Sequence, residues 1–283
     1  MEKIVTQWRA LPSGGKTSEH VFAIGDVHGR ADLLEGLLGH IEAQPGAADA
    51  HLVFLGDLID RGPAGLRAVH LAWDAKDRFR QRSYLAGNHE IVMLDALLAP
   101  HHNAAFQYWF NTYDGHAVCD EVDPKAKMSI DELADAITDA LPDGFLRHIE
   151  HNRGHLWLGD CLFVHAGIPG YGDREEFLSI PPRGDYNRGQ HWSMIRDGFL
   201  DWTGGWDPEG LGATIVVHGH SVEVPGRLDD QDDLILYADR SADLRRMNID
   251  MGASSYGQLL CIEIIEHAYR FHMIQDEPAY RNP

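Results

Sequence analysis

The chain has 283 residues, of which 44% are hydrophobic, so it is long enough to bury a sizeable core. It carries 24 basic and 44 acidic residues, and its net charge of −20 argues against binding to duplex nucleic acid. No apolar run approaches the length of a membrane span, and residues 1–8 lack the apolar core of a secretory signal. Three widely spaced cysteines imply no disulfide framework. We therefore expect a cytoplasmic protein that does not bind membranes; the sequence does not indicate its oligomeric state.

The first two hundred residues contain a series of short apolar runs. Residues 1–19 are polar and include a Ser-Gly-Gly loop signal, so we expect a loose N-terminal lead-in before a domain over 20–283. The apolar runs have the composition of buried strands, and they are Val21–Ile24, Leu52–Leu55, Tyr84–Ala86, Leu162–Val164 and Ile215–Val217. Helical periodicity follows the first three runs, over Ala31–Leu38, about Ala64–Trp73 and Ile91–Leu98.

Each apolar run leads into a short motif rich in Asp, His and Asn. In chain order these are GDVHG at 25–29, GDLIDRG at 56–62, GNHE at 87–90, HAG at 165–167 and HGHS at 218–221. Asp26 and Asp57 are 31 residues apart, and so are Asp57 and Asn88. That is about the length of one βαβ unit and predicts parallel strands. Because ligands bind at the carboxyl edge of such sheets, we expect the motifs to meet there.

The later part of the chain departs from this pattern. Residues 101–158 contain an aromatic stretch and then an acidic helical stretch over 129–141, which Ser129 and Glu132 could begin as a capping box. We interpret 101–158 as a helical insertion beside the site, with ordinary scaffold helices as the alternative. A Gly/Pro-rich loop over 167–189 and a helical segment over His191–Trp202 follow. Strands of more antiparallel character are expected at Leu234–Tyr237, Met247–Asp250, Leu259–Ile265 and Tyr269–Ile274.

The polar residues of the motifs suit a pair of divalent transition ions. Asp26 and His28 lie two residues apart and can lean toward one ion, while the two carboxylate oxygens of Asp57 can bridge two ions. The mixed nitrogen and oxygen donors suit manganese, with iron or zinc as alternatives. The candidate ligands are Asp26, His28, Asp57, Asn88, His165 and His220.

Taken together, the motifs resemble those of the calcineurin-like metallophosphoesterases, and within them the phosphoprotein phosphatase family. The Asp-Arg-Gly sequence at 60–62, followed by Gly-Asn-His-Glu at 87–90, resembles the bacterial and phage serine/threonine phosphatases. Val222 stands where many members of the superfamily carry a further histidine, as in the phosphatase type. The resemblance covers about residues 20–265. It implies an α/β single-domain, four-layer αββα sandwich of two mixed β-sheets, with the metal site at the C-terminal edge of the strands.

The resemblance also implies a role for each residue of the motifs. Asp26, His28 and Asp57 would hold the first ion, and Asp57, Asn88, His165 and His220 the second. His89 would be the general acid that protonates the leaving oxygen, oriented by Asp60. An imidazolium paired with a carboxylate is expected to keep its proton at neutral pH. Three neighbours are expected to support the site rather than act in it: Glu90, His218 and Asp250.

Two arginines are expected to bind the phosphoryl group of the substrate. Arg61 would clamp phosphate oxygens with its planar guanidinium, and Asn88 would contribute to substrate binding beside it. The segment Trp192–Leu200 resembles the part of the family that supplies the second arginine, which makes Arg196 the candidate. Arg183 and Arg188, on the preceding loop, are its rivals.

The implied activity is hydrolysis of phosphomonoesters of serine and threonine in proteins, with phosphotyrosine as a further substrate. A metal-bridging hydroxide would attack phosphorus in line, and His89 would protonate the departing oxygen. The alternative is a hydrolase of dinucleoside polyphosphates such as diadenosine tetraphosphate, or of another phosphoester, at the same dinuclear site. The absence of a plain basic stripe in 101–158 and 167–189 favours the first reading. The complete set of ligand residues argues against a third possibility, an inert scaffold.

Overall fold

The structure is a computed structural model that describes residues 1–98, 103–170, 172–184, 187–201, 214–224 and 226–276. Its strands are β1 (Glu2–Val5), β2 (Arg9–Ala10), β3 (Val21–Ile24), β4 (His51–Phe54), β5 (Gln81–Tyr84), β6 (His155–Leu158), β7 (Cys161–Val164), β8 (Ile215–His218), β9 (Arg246–Asn248), β10 (Gln258–Ile265) and β11 (Ala268–Gln275). Its helices are α1 (Ala31–Glu42), α2 (Gly65–Asp74), α3 (Asn88–Leu98), α4 (Asn103–Thr112), α5 (His116–Val122), α6 (Ile130–Ala140), α7 (Phe145–Glu150), α8 (Arg174–Leu178), α9 (Gln231–Leu244) and α10 (Ala253–Tyr256). In this part of the chain, every helix is too short or too polar to cross a lipid bilayer.

The strands form two mixed sheets. The first has the order β1-β11-β10-β3-β4-β5, with β2 also paired to β11, and the second has the order β6-β7-β8-β9. β3, β4 and β5 are parallel, as the 31-residue spacing of the motifs predicts. β10 and β11 are antiparallel, as predicted, whereas β9, in the predicted Met247–Asp250 run, is parallel to β8. The predicted α/β class with two mixed sheets is confirmed.

Alternate residues of the central strands face opposite layers, which places the two sheets face to face. Phe22 and Phe54 belong to a buried cluster that includes the apolar face of α1, for example Leu37. Their neighbours Val21 and Val53 belong to a second cluster that includes β7 and β8 of the other sheet. Strand residues buried on both faces explain why the central strands are continuous apolar runs rather than alternating ones.

The N-terminal residues are not the loose lead-in that we expected over 1–19. Glu2 pairs with Gln275 and Ile4 with Met273, so β1 is an antiparallel neighbour of β11. Ile4 is buried by this pairing. Without β1, residues 272–275 of β11 would expose a row of unpaired backbone groups at the sheet edge. One buried side chain in a four-residue strand is too weak a periodic signal to recognise in a polar segment.

The strand predicted at Leu234–Tyr237 is part of helix α9 instead. The Asp230 side chain accepts hydrogen bonds from the backbone N–H groups of Asp232 and Asp233, so it caps the first turn. Leu234 and Ala238 then face the core at helical spacing, whereas Leu236 is 71% exposed. The short aliphatic run suggested a strand because four residues are too few to distinguish the periodicity of a helix from that of a strand.

The helix predicted over His191–Trp202 is also wrong as far as the structure describes this segment. The backbone N–H groups of Met194 and Ile195 both donate to the carbonyl of His191, which closes a single turn. Gly198 then has a φ of 75°, which interrupts right-handed helix. Trp202, the predicted end of this helix, lies outside the described residues.

The segment 101–158 is helical over most of its described length, through α4 to α7. The predicted capping box is present: Ser129 Oγ accepts from the backbone N–H of Glu132, and the backbone N–H of Ser129 donates to the Glu132 carboxylate. The last four residues depart from the prediction because they form β6, which is antiparallel to β7 at the edge of the second sheet. Residues 101 and 102 lie outside the described part of the chain.

Candidate metal centre

The predicted ligands meet where strands of both sheets end. Asp26 follows β3 and Asp57 follows β4 in the first sheet, while His165 directly follows β7 and His220 follows β8 in the second. Asn88 is the first residue of α3. The chain returns to the same edge after each strand because β3, β4, β7 and β8 run in parallel pairs.

Asp57 lies at the middle of the cluster. Its Oδ2 atom is 3.6 Å from His28 Nε2 and 3.4 Å from His165 Nε2. Two groups of side chains have donor atoms close enough to hold an ion, and they are His28, Asp57 and His89, and Asp57, His165 and His220. Asp57 is common to both groups, which is the position that a bridging carboxylate needs. Asp26 Oδ2 lies 4.0 Å from His28 Nε2, at the edge of the first group.

The hydrogen bonds of two histidines turn their Nε2 atoms toward this cluster. His28 Nδ1 donates to the carbonyl of Ile59 over 3.0 Å, and His165 Nδ1 donates to the carbonyl of Leu55 over 2.8 Å. In the neutral rings, Nε2 is then the acceptor, and it faces Asp57. His220 Nε2 is buried and has no hydrogen-bond partner among the described residues. A buried lone pair without a donor is costly, and a divalent cation would satisfy it, so this donor set fits a metal centre.

The electrostatics of the cluster also favour a cation. Burial, together with the nearby charge of Asp250, raises the pKa of Asp26 well above its usual range. Burial alone would lower the pKa of His165, but attraction and hydrogen bonding to Asp57 raise it to about 9. This attraction favours positive charge at His165 Nε2, 3.0 Å from Asn88 Oδ1, and a bound cation would supply that charge in place of a proton.

His89 and Asp60 form a buried pair beside the predicted ligands. His89 Nδ1 donates to Asp60 Oδ2 over 2.7 Å, which directs Nε2 toward the cleft, 3.4 Å from Arg61 Nη2. Burial raises the pKa of Asp60 and lowers that of His89, even though the charge of Asp57 opposes the second shift. In the free protein, burial therefore opposes the imidazolium that pairing with Asp60 is expected to favour.

The two proposed phosphate-binding arginines enter the same cleft. Arg61 Nη1 lies 2.9 Å from His28 Nε2. Arg196 Nε donates to Ser221 Oγ, and its Nη2 donates to the carbonyl of His220. The cleft has a volume of about 240 Å³ and is lined by Arg61, Asn88, His89, Thr112, Tyr113, Met194, Arg196 and His220.

The rival arginines do not share this position. Arg183 Nε donates to Asp95 over 2.6 Å, and its Nη1 donates to Glu150, so its guanidinium is committed to carboxylates away from the cleft. The side chain of Arg188 lies outside the described part of the structure.

Glu90, which was expected to support the site, binds backbone N–H groups of the two loops that carry Asp57 and Asn88. The Glu90 carboxylate is fully buried and accepts hydrogen bonds from the backbone N–H groups of Asp57, Leu58 and Gly87. Gly87 must be a glycine because a Cβ atom there would lie 2.0 Å from Asp57 Oδ1. The close approach of this loop fixes Asp57 at the end of β4.

Two other motif residues stay outside the cluster. His218 is fully buried, donates from Nδ1 to the carbonyl of Gly219 and stands edge-on to Phe199, with 4.8 Å between ring centroids. Asp250 accepts from the backbone N–H of Gly252. Neither belongs to the groups that could hold an ion.

Backbone strain at the site is a feature that the sequence did not reveal. Five of the predicted site residues adopt left-handed φ angles: His28 (45°), Asp57 (51°), Asp60 (67°), Arg61 (63°) and His220 (68°). This conformation is uncommon for residues other than glycine and is frequent at functional sites. Adjacent glycines in the motifs were the available signal, but they do not indicate which neighbour takes the strained angle.

A two-sheet sandwich with an Asp, His and Asn cluster at its strand ends is the architecture of a metallophosphoesterase. A family model described as calcineurin-like phosphoesterase matches residues 20–224, and the chain belongs to this family. This family acts on phosphoesters and normally uses a dinuclear metal site.

Known relatives carry different names. The chain is 34% identical over 86 residues to "Putative serine/threonine-protein phosphatase C06A1.3" of Caenorhabditis elegans. This match covers 30% of this chain and 23% of the relative. It is 29% identical over 147 residues to the symmetrical bis(5'-nucleosyl)-tetraphosphatase of Janthinobacterium sp. (strain Marseille), covering 52% of this chain and 43% of the relative. The chain thus matches less than half the length of either relative.

A solved structure supports the fold. A serine/threonine phosphatase of Saccharomyces cerevisiae, with similarity to human phosphatase PP5, superposes with a TM-score of 0.51 at 14% identity. The superposition covers 94% of this chain and 82% of the yeast chain.

Proposed function

We propose that the protein is a metal-dependent phosphatase that hydrolyses phosphomonoesters on serine and threonine side chains, with phosphotyrosine as a further substrate. The observation that carries this proposal is the cleft in which Arg61 and Arg196 flank His89 and Asn88. Two planar guanidinium groups match the oxygens of a single terminal phosphoryl group. We propose manganese as the bound metal, with iron or zinc as alternatives.

The residues of the chain divide the work of such a reaction. Bound divalent ions would activate water as a nucleophile at neutral pH and polarise a phosphoryl oxygen. Arg61 and Arg196 would orient the phosphoryl group and neutralise its charge as the reaction proceeds. His89 would deliver a proton from Nε2 to the departing oxygen while Asp60 holds Nδ1. The negative charge of a bound phosphate dianion would offset the burial that lowers the His89 pKa.

The surroundings of Arg61 favour a monoester over a polyphosphate. Arg61 also lines a second groove of about 340 Å³, together with Gly62, Pro63, His116, Ala117, Asp120 and Glu121. Asp120 and Glu121 add two acidic residues beside Arg61, in a protein that is already acidic. Such charge repels a polyphosphate and tolerates a peptide, especially one with a basic residue near the phosphorylated position.

A second candidate is a hydrolase of dinucleoside polyphosphates. The longer of the two sequence matches, over 147 residues, is to the bis(5'-nucleosyl)-tetraphosphatase. This function would use the same ligands and the same His89, so it differs in substrate rather than in the site.

The deciding experiment compares the two substrates on one preparation. We expect the Mn²⁺-loaded protein to hydrolyse a phosphothreonine peptide with a higher kcat/KM than diadenosine tetraphosphate. A higher kcat/KM for the dinucleotide would leave the site assignment in place and replace the substrate class. Failure to turn over either, or any simple aryl phosphate, would contradict the proposed function itself.

Arg196 can be tested separately from the metal ligands. We expect Arg196→Ala to raise KM for a phosphomonoester by roughly tenfold or more, since a charge-assisted hydrogen bond contributes about 1.5–3 kcal/mol. Arg183→Ala is the matched control, because it removes an arginine that pairs with Asp95 outside the cleft, and KM should change little. Equal effects of the two substitutions on KM would contradict the assignment of Arg196.

A further inference from the structure

We propose that Trp109 is a positioning residue of the reaction, which holds the Asp60 carboxylate in the orientation that directs His89 toward the leaving group. This inference rests on the proposed function, in which His89 is the general acid. Trp109 belongs to α4, so the inference gives this helix, the first one after α3, a role in positioning the general acid.

The contact itself is direct. Trp109 Nε1 lies 3.0 Å from Asp60 Oδ2 and 3.1 Å from Asp60 Oδ1, so the indole N–H donates to the carboxylate. The same Oδ2 accepts from His89 Nδ1 over 2.7 Å. Both Asp60 and Trp109 have no solvent-exposed surface. The indole therefore replaces water as a donor to a buried carboxylate that would otherwise lack solvation on this side.

The indole is held in place by its packing. Phe106 stands perpendicular to the Trp109 ring, with 5.5 Å between centroids. On another side, Gly115 lies so close that a Cβ atom there would be 2.4 Å from Cε2 of the indole. The φ of Gly115 is −62°, which any residue can adopt, so the close approach to Trp109 is what requires a glycine. A ring fixed in this way can fix the atom that it binds.

Asp60 needs such a restraint because its own backbone supplies little. It occupies a strained left-handed turn with a φ of 67°, and its carboxylate could rotate about the Cβ–Cγ bond if His89 were its single partner. Rotation would carry Oδ2 away from His89 Nδ1 and would release the imidazole. An indole N–H prevents this without adding a positive charge beside His89, as an arginine or lysine would.

The test uses Trp109→Phe, which removes the N–H donor and retains an aromatic ring. We expect kcat for phenyl phosphate, which has a poor leaving group, to fall about tenfold, in line with the loss of one hydrogen bond to a charged group. For 2,4-dinitrophenyl phosphate, which needs little protonation of its leaving oxygen, the loss should be less than about threefold. KM and metal content should stay within about twofold of the wild type.

Two further variants separate positioning from packing. Phe145→Leu disturbs the same core at a ring that contacts Trp73 and Tyr84 and keeps the indole donor with its packing, so its losses on the two substrates should be equal. In an Asp60→Ala background, Trp109→Phe should have no further effect on the ratio of the two kcat values, because the residue through which it acts is gone. The positioning role is overturned if Phe145→Leu reproduces the selective loss, or if the effect of Trp109→Phe persists without Asp60.

A spectroscopic measurement tests the contact without turnover. The indole ¹H–¹⁵N resonance of Trp109, assigned by its loss in Trp109→Phe, should lie downfield in the metal-free protein and move upfield in Asp60→Ala. An unchanged resonance would overturn the contact. If the wild type hydrolysed no phosphomonoester, the proposed function would fail and the catalytic role of Trp109 with it, whereas this resonance would still report on the contact.

Discussion

Substitution of Asp57 by asparagine is expected to weaken both metal ions together. The Asp57 carboxylate lies within 3.6 Å of donor nitrogens on His28 and His165, which belong to the two different groups that could hold an ion. The asparagine amide keeps one oxygen, which can still accept the hydrogen bond from the His89 backbone N–H. It loses the negative charge that a bridging ligand shares between two cations. Loss of a hydrogen-bonding partner of a ligand costs about 10–100-fold in affinity, so loss of the bridge should cost more than roughly a hundredfold for each ion.

The measurement is the metal content after dialysis, by elemental analysis, together with calorimetric titration of Mn²⁺. Asp26→Asn is the matched control, since it makes the same chemical change in a carboxylate 4.0 Å from His28 Nε2, and Asp26 is a predicted ligand of the first ion alone. We expect it to weaken one ion more than the other. Two ions retained at wild-type affinity in Asp57→Asn would show that Asp57 does not bridge them.

The positions of the candidate ligands could be predicted because strand ends are legible in the sequence. Asp26, Asp57 and Asn88 recur every 31 residues after apolar runs, and parallel strands bring such positions to one edge whatever the details of the loops. The apolar runs were recognisable because the central strands are buried on both faces. The parallel order of β3, β4 and β5 follows from the length of chain between them.

Elements near the surface were harder to predict, for physical reasons. The run from Leu234 to Tyr237 has the aliphatic composition of a strand. It is helical because Asp230 caps the first turn and because Leu234 and Ala238 face the core at helical spacing. β1 exists because β11 has an edge to be covered, and this is a property of a strand more than 260 residues away. Tertiary pairing decides such cases, and local sequence carries little of it.

Within the site, too, some features could be predicted from the sequence and others could not. The identity of His89 and Asp60 as a pair follows from the motifs, but the contact between Trp109 and Asp60 joins segments 49 residues apart and has no local signature. The charge state was also beyond the sequence. Pairing with a carboxylate predicts a protonated His89, whereas complete burial lowers the pKa of His89 and raises that of Asp60. The balance depends on desolvation, which only the packed structure determines.

Substitution of His89 by alanine is expected to lower kcat without releasing metal. His89 would deliver its proton through Nε2, while its Nδ1 is held by Asp60, so its removal takes away proton delivery and leaves the predicted ligands in place. General acid catalysis contributes about 10²–10⁴-fold, and we expect a loss in this range for phenyl phosphate. For 2,4-dinitrophenyl phosphate, whose leaving group departs as a stable anion, the loss should be much smaller. Metal content, measured on the same preparation, should match the wild type.

The outcome also shows whether His89 is a general acid or a metal ligand. His89 belongs with His28 and Asp57 to one of the two groups whose donor atoms could hold an ion, so the geometry permits either role. A ligand would lose metal on substitution and would slow both substrates equally, because the ion serves attack on phosphorus in each. An acid loses activity in proportion to the basicity of the leaving oxygen and keeps the metal. Equal losses on the two esters with full metal content would contradict the acid role, and loss of metal would assign His89 to the ion instead.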